Sequence, residues 1–123
     1  MKDLLGLGHL IGATRNSLWG LKDAFRSGCA FRQEVCLGIV HFVLLFLIDI
    51  SLELKVVMAA LWVLMLALEL VNSAIEEVVD YVSPEWNEFA KHAKDYCSAA
   101  VGLVAVLIGI SWIAVVWSHV SST

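Results

Sequence analysis

"VVMAALWVLMLALELVNSAIEEVVD", residues 56–80, decides the fold of this 123-residue chain. Residues 56–68 are all apolar, and Glu69, Asn72, Glu76, Glu77 and Asp80 then enter where a membrane helix is expected to continue. An acidic side chain at the centre of a spanning helix costs about 3 kcal/mol, and less towards the interface. The stretch is therefore a helix that has reached the headgroups, or one that carries carboxylates for a purpose. At about 100° per residue, Glu69, Asn72, Glu76 and Asp80 fall within roughly 80° of one another, with Glu77 to the side. Glu76, Glu77 and Asp80 are open to the first reading. Glu69 and Asn72, set between "LMLAL" and "LV", favour the second.

Composition agrees with a membrane chain. Hydrophobic residues make up 60% and charged residues 16%, against about 45–50% and 25% in an ordinary soluble domain. One all-α unit of membrane helices with short connections is expected, without a second domain. Residues 96–118, "YCSAAVGLVAVLIGISWIAVVWS", carry no charge and match the ~20 residues that cross a ~30 Å hydrocarbon core. "VCLGIVHFVLLFLI", residues 35–48, becomes long enough if "AFRQE" before it extends the same helix. The expected spans are about 32–48, 55–81 and 95–119, joined by turns over 49–55 and 83–95. Lys2, Arg15, Lys22, Arg26, Arg32, Lys91 and Lys94 lie on one side of this topology and Lys55 alone on the other. The positive-inside rule then puts the N-terminus and the second loop in the cytoplasm, and the C-terminus in the periplasm or exterior.

Ahead of the first span, Leu7, Ile11, Leu18, Leu21 and Phe25 recur near helical spacing, with Arg15, Asn16, Lys22, Asp23 and Arg26 on other faces. The pattern predicts a helix over about 4–27 that lies in the interface plane or packs on the rest of the protein. The first residues lack an uninterrupted apolar region and a small-residue cleavage site, so no secretory signal is expected. Ser98, Gly102, Ala105 and Gly109 form a stripe of small residues that permits close helix approach, within the chain or between chains.

Several function classes drop out. The net charge of −4 and the lack of a basic stripe argue against nucleic acid. Cys29, Cys36 and Cys97 lack paired spacing, so reduced packing cysteines are expected rather than a disulfide or zinc site. His9, His41, His92 and His119 show no metal spacing and are expected in surface or interface roles. A proton- or ion-conducting bundle would need a continuous polar path, which residues 56–68 do not offer.

The acidic stripe suits a different chemistry. A carboxylate at the edge of the hydrocarbon can serve as general base towards an alcohol, and a second one two turns nearer water suits a hard cation such as Mg²⁺, which often arrives with nucleotide phosphates. Lys94 and Asp95, at the membrane edge, are placed to meet the same anionic ligand.

"ELVNSAIEEVVD", with "AFRQE" upstream and "AKDYCSAAV" downstream, resembles the prokaryotic integral-membrane diacylglycerol kinase family, and more its proteobacterial diacylglycerol branch than its undecaprenol kinase branch. The resemblance implies a homotrimer of three-span subunits, each with an N-terminal surface helix, in the bacterial inner membrane. It implies transfer of the γ-phosphoryl group of MgATP to the primary hydroxyl of diacylglycerol, giving phosphatidic acid. Glu69 would be the general base, Asn72 would help hold the reacting phosphate, and Glu76 would ligate the metal. Glu85, Asn87, Lys94 and Asp95 would lie in the ATP site, with Arg32, Glu34 and Ser98 towards the lipid. One departure stands out: where the family usually has a metal-holding glutamate, this chain has Gly28. A kinase for undecaprenol or another membrane alcohol, or a non-catalytic homologue, is the alternative.

Overall fold

The computed structural model describes residues 5–123 as four helices in chain order, α1 (Leu7–Ser27), α2 (Cys29–Leu47), α3 (Leu52–Val82) and α4 (Glu88–Ser121). Three of them, α2, α3 and α4, are long and apolar enough to cross a membrane, so the chain is an all-α membrane protein. At 1.5 Å per residue α3 is about 46 Å long and α4 about 51 Å, and both exceed a ~30 Å hydrocarbon core by several turns. Much of that extra length carries charged residues, Glu76, Glu77 and Asp80 on α3 and Glu88, Lys91, Lys94 and Asp95 on α4.

Each boundary has a local cause. Gly6 opens α1 with a φ of 67°, a left-handed conformation that glycine adopts freely. Gly28 ends α1, its N–H donating to the Ala24 carbonyl at 2.8 Å, and at the same time starts α2. Arg32 reaches back from α2, its guanidinium donating to the carbonyls of Phe25 (3.3 Å) and Arg26 (3.2 Å), which satisfies part of the open C-terminus of α1. Ser51 caps α3 by accepting from the Leu54 N–H at 3.2 Å. Pro84 disfavours helical backbone at Ser83, which sits at φ −138° and ψ 75° and ends α3. Asn87 then caps α4, its side-chain oxygen accepting from the Ala90 N–H at 2.9 Å.

These boundaries revise the expected ones. "AFRQE" does extend the first span, which starts at Cys29 rather than near 32. The turn expected over 49–55 shrinks because α3 begins at Leu52. The loop expected over 83–95 is only 83–87, because capping by Asn87 starts α4 ahead of the polar run that precedes its apolar part. The surface helix starts at Leu7, and Leu4, included in its expected range, lies outside the described residues.

The helix α3 is the centre of the packing, with α4 along most of its length and α2 on another side. Trp62, Met65, Val104 and Ile108 form one core layer, and Leu45, Met58 and Val115 a second. Most other apolar side chains remain exposed, Leu47 at 72% and Ile113 at 71% among them, a surface suited to lipid or to further copies of the chain. No residue of α1 is buried, so its apolar stripe is not covered by the chain's own bundle. Ser98, Gly102, Ala105 and Gly109 are likewise exposed, so any close approach along that stripe is not made within the chain.

Two further expectations change. Cys29 and Cys36, expected as packing cysteines, are exposed in this chain. Buried His41, at 3% exposure, belongs to the core and not to the surface; Trp112 and the Met58 carbonyl take up both of its ring nitrogens. Asn87→Ala removes the α4 cap and is expected to cost about 1 kcal/mol of unfolding stability, read by denaturant titration in detergent.

Candidate active site

Glu69, Asn72, Glu76 and Asp80 follow one another at i, i+3, i+7 and i+11 on α3 and so share one face. Glu69 and Asn72 are both buried. The Asn72 amide donates, at a long 3.5 Å in each case, to Glu69 Oε1 on one side and to Glu76 Oε1 on the other. A single amide thus bridges a buried carboxylate and an exposed one. From α2, Glu34 is held against α3, its backbone carbonyl accepting from Trp62 Nε1 at 3.1 Å.

Two oxygens in this cluster, Glu34 Oε2 and Asn72 Oδ1, are buried without a hydrogen-bond donor. A buried acceptor left unpaired costs about 1–3 kcal/mol. Both atoms suit a ligand that brings a hydroxyl hydrogen or a cation.

At the water end, Asp80 pairs with Lys94 of α4 at 2.6 Å, and Lys91 pairs with Asp95 at 2.6 Å. Asp80, Glu85, Asn87, Lys91, Lys94 and Asp95 all line one cleft of about 330 Å³ around the 83–87 loop. The sequence-predicted residues Glu85, Asn87, Lys94 and Asp95 are thereby brought together. The Asn87 side chain is committed to shaping the loop, since besides capping α4 its amide donates to Ser83 Oγ and to the Glu85 carbonyl. Lys91, which the sequence offers only as a topology charge, joins the cleft as well, and its position four residues before Asp95 is the spacing of a helical ion pair.

Asp80 also lines a second cleft, of about 260 Å³, with Ser27, Gly28, Ser73, Glu76 and Glu77. Side-chain oxygens from two serines and three carboxylates suit a hard cation. Among the described residues no three His, Cys, Asp or Glu side chains converge as a ready-made metal cage. Mg²⁺ commonly binds through one or two carboxylates plus waters and phosphates, and Glu76 with Glu77 fits that habit.

Two predicted residues stand apart. Arg32 is engaged with the end of α1. Ser98 is exposed on α4 and forms no side-chain hydrogen bond with Glu34, Glu69 or Asn72.

Three spans with a buried polar row leading to a charged cleft define a helical membrane protein with a site at one membrane edge. The family model for prokaryotic diacylglycerol kinase matches residues 15–116. Similar proteins named diacylglycerol kinase occur in Haemophilus influenzae, 41% identical over 87% of this chain and 91% of that protein, and in Pseudomonas aeruginosa, 42% identical over 90% of each. The Escherichia coli diacylglycerol kinase is 34% identical over 93% of each chain. The chain belongs to the prokaryotic diacylglycerol kinase family.

Because the Lys94–Asp80 pair is exposed, it adds little to stability. Lys94→Gln is expected to leave the thermal unfolding midpoint nearly unchanged in detergent, followed by circular dichroism. A large drop would show instead that the pair holds α3 and α4 together.

Proposed function

We propose that this chain is a lipid kinase that transfers the γ-phosphoryl group of MgATP to the primary hydroxyl of diacylglycerol, giving phosphatidic acid and ADP. The observation that carries the reading is the polar row of α3, which runs from buried Glu69 through Asn72 to Glu76 and on to Asp80 at the charged clefts. Membership of the family supports the same reaction.

In this proposal Glu69 takes the proton of the lipid hydroxyl as its oxygen attacks the γ-phosphorus, while the bond from that phosphorus to the bridging oxygen breaks and ADP leaves. Asn72, between Glu69 and Glu76, holds the reacting phosphate. Glu34 lies on the lipid side, its unpaired oxygen suited to accept from a glycerol hydroxyl; Arg32 supports that turn through its contacts with α1, and Ser98 is the further lipid-side residue. Lys94, Asp95 and Glu85 line the nucleotide cleft, whose shape Asn87 sets. Glu76 would hold Mg²⁺ arriving with ATP, which would supply neutralisation of the phosphate charge. Phosphoryl transfer depends mainly on positioning and charge neutralisation, so so few groups can suffice. The assembly is a homotrimer in the bacterial inner membrane, with the N-terminus and the 83–87 loop cytoplasmic and the C-terminus periplasmic; the exposed small-residue stripe of α4 favours close packing between copies.

Gly28 is the observation that favours a second, non-catalytic reading. A Cβ built there would lie 2.7 Å from the Ala24 carbonyl oxygen, so a glutamate at 28 requires the α1–α2 junction to shift. The native junction instead opens Glu76 and Glu77 to the same cleft.

Glu69→Gln is expected to abolish phosphate transfer while the assembled protein stays as stable in detergent as wild type; unchanged activity would remove Glu69 as base. Gly28→Glu separates the two readings, because activity found only in that variant would mean that the native carboxylates do not hold Mg²⁺. Competition between diacylglycerol and undecaprenol identifies the acceptor.

A further inference from the structure

One layer beneath the carboxylates, three spans meet around three rings, Trp62 of α3, His41 of α2 and Trp112 of α4. The Trp62 indole on α3 donates to the Glu34 carbonyl of α2 at 3.1 Å. It lies directly over Gly38, where an added Cβ would come 2.5 Å from its Nε1 and 3.1 Å from two further ring atoms. A residue larger than glycine at 38 therefore pushes the indole away from Glu34.

Behind Trp62, the His41 ring stacks on it at 4.6 Å between centroids. Trp112 of α4 donates its indole N–H to His41 Nδ1 at 3.0 Å. An indole nitrogen can only donate, so Nδ1 accepts and the imidazole proton sits on Nε2, which donates to the Met58 carbonyl at 3.0 Å. Every polar atom of this ring set is paired. His41 and Trp62 are both buried, so the pair forms a fixed backstop joining α2, α3 and α4.

Glu34, by contrast, has a buried carboxylate oxygen without a donor. Its carbonyl contact with Trp62 is a cross-helix hydrogen bond that fixes this turn of α2 against α3.

We infer that Trp62, seated on Gly38 and backed by the His41–Trp112 pair, is a positioning residue that holds the Glu34 turn of α2 against the Glu69 face of α3 and so sets the lipid side of the site. The inference rests on the kinase reading above. Neither Trp62 nor His41 hydrogen-bonds a carboxylate, so the role is exerted through Glu34.

The test is the kinetics of purified wild type, Trp62→Phe, Gly38→Ala and the double variant with MgATP and diacylglycerol in mixed micelles, with indole N–H exchange of Trp62 followed by NMR. Trp62→Phe keeps a ring but loses the donor, and is expected to raise the KM for diacylglycerol about fivefold, the equivalent of about 1 kcal/mol for one hydrogen bond, with the KM for MgATP unchanged. Gly38→Ala is expected to reproduce that shift and to expose the Trp62 indole N–H to exchange, yet to add nothing on the Trp62→Phe background. An unchanged lipid KM in Trp62→Phe, equal losses for both substrates, or additive effects of the two substitutions would overturn the role. An active wild type whose Trp62 indole exchanges freely would overturn it while leaving the kinase reading intact. A protected indole in a wild type without phosphorylation would overturn the kinase reading, and this role with it.

Discussion

The structure depends on keeping Glu69 and Asn72 inside a helix that is otherwise built for hydrocarbon. A carboxylate costs about 3 kcal/mol at the centre of a spanning helix and less towards the interface, and among the described residues the chain has no basic side chain buried beside Glu69 to offset it. Its solution is graded polarity along α3: the buried Glu69, an amide that donates both ways, the exposed Glu76, and then Asp80 in a surface ion pair. The apolar core layers continue the same face of that helix, where Met65 and Trp62, one and two turns before Glu69, pack against Val104 and Ile108. One helix therefore serves as both the scaffold and the route from lipid to water.

The lengths of α3 and α4 follow from that arrangement. Their apolar parts alone would cross the membrane, and their added turns lift Asp80, Lys91, Lys94 and Asp95 into a cleft that water can reach. The short 83–87 loop, folded by Pro84 and the Asn87 cap, holds the two extensions side by side. A longer or looser loop would separate Lys94 from Asp80, and the charged cleft with it. At the same end of the polar row, α1 contributes Ser27 and the junction at Gly28 to the acidic cleft that Asp80 shares, although no residue of α1 is buried in the bundle.

Much of this was legible in the residues. Periodicity alone put Glu69, Asn72, Glu76 and Asp80 on one face, because a regular helix without glycine or proline transmits spacing into geometry. The three spans were legible for the same reason. The first turns of α4 are obscured in the sequence because "EFAKHAKD" is polar, although Asn87 before Glu88 is a helix-start signal. Asp95 was expected beside an anionic ligand and is found paired with Lys91, a local contact that helical spacing could have revealed. His41 was beyond sequence reading: its hydrogen-bond donor Trp112 lies 71 residues away, and a lone histidine in an apolar run carries no sign of which distant ring will meet it. The tight fit of Trp62 over Gly38 is hidden for the same reason.

The account stands on the claim that the buried row of α3 performs phosphoryl transfer to a lipid alcohol. The most direct measurement is formation of phosphatidic acid from diacylglycerol and ATP by the purified wild-type protein in mixed micelles containing Mg²⁺. The account predicts that product accumulates in step with ADP and only when Mg²⁺ is present. Folded, assembled protein that yields no phosphatidic acid under these conditions would contradict it.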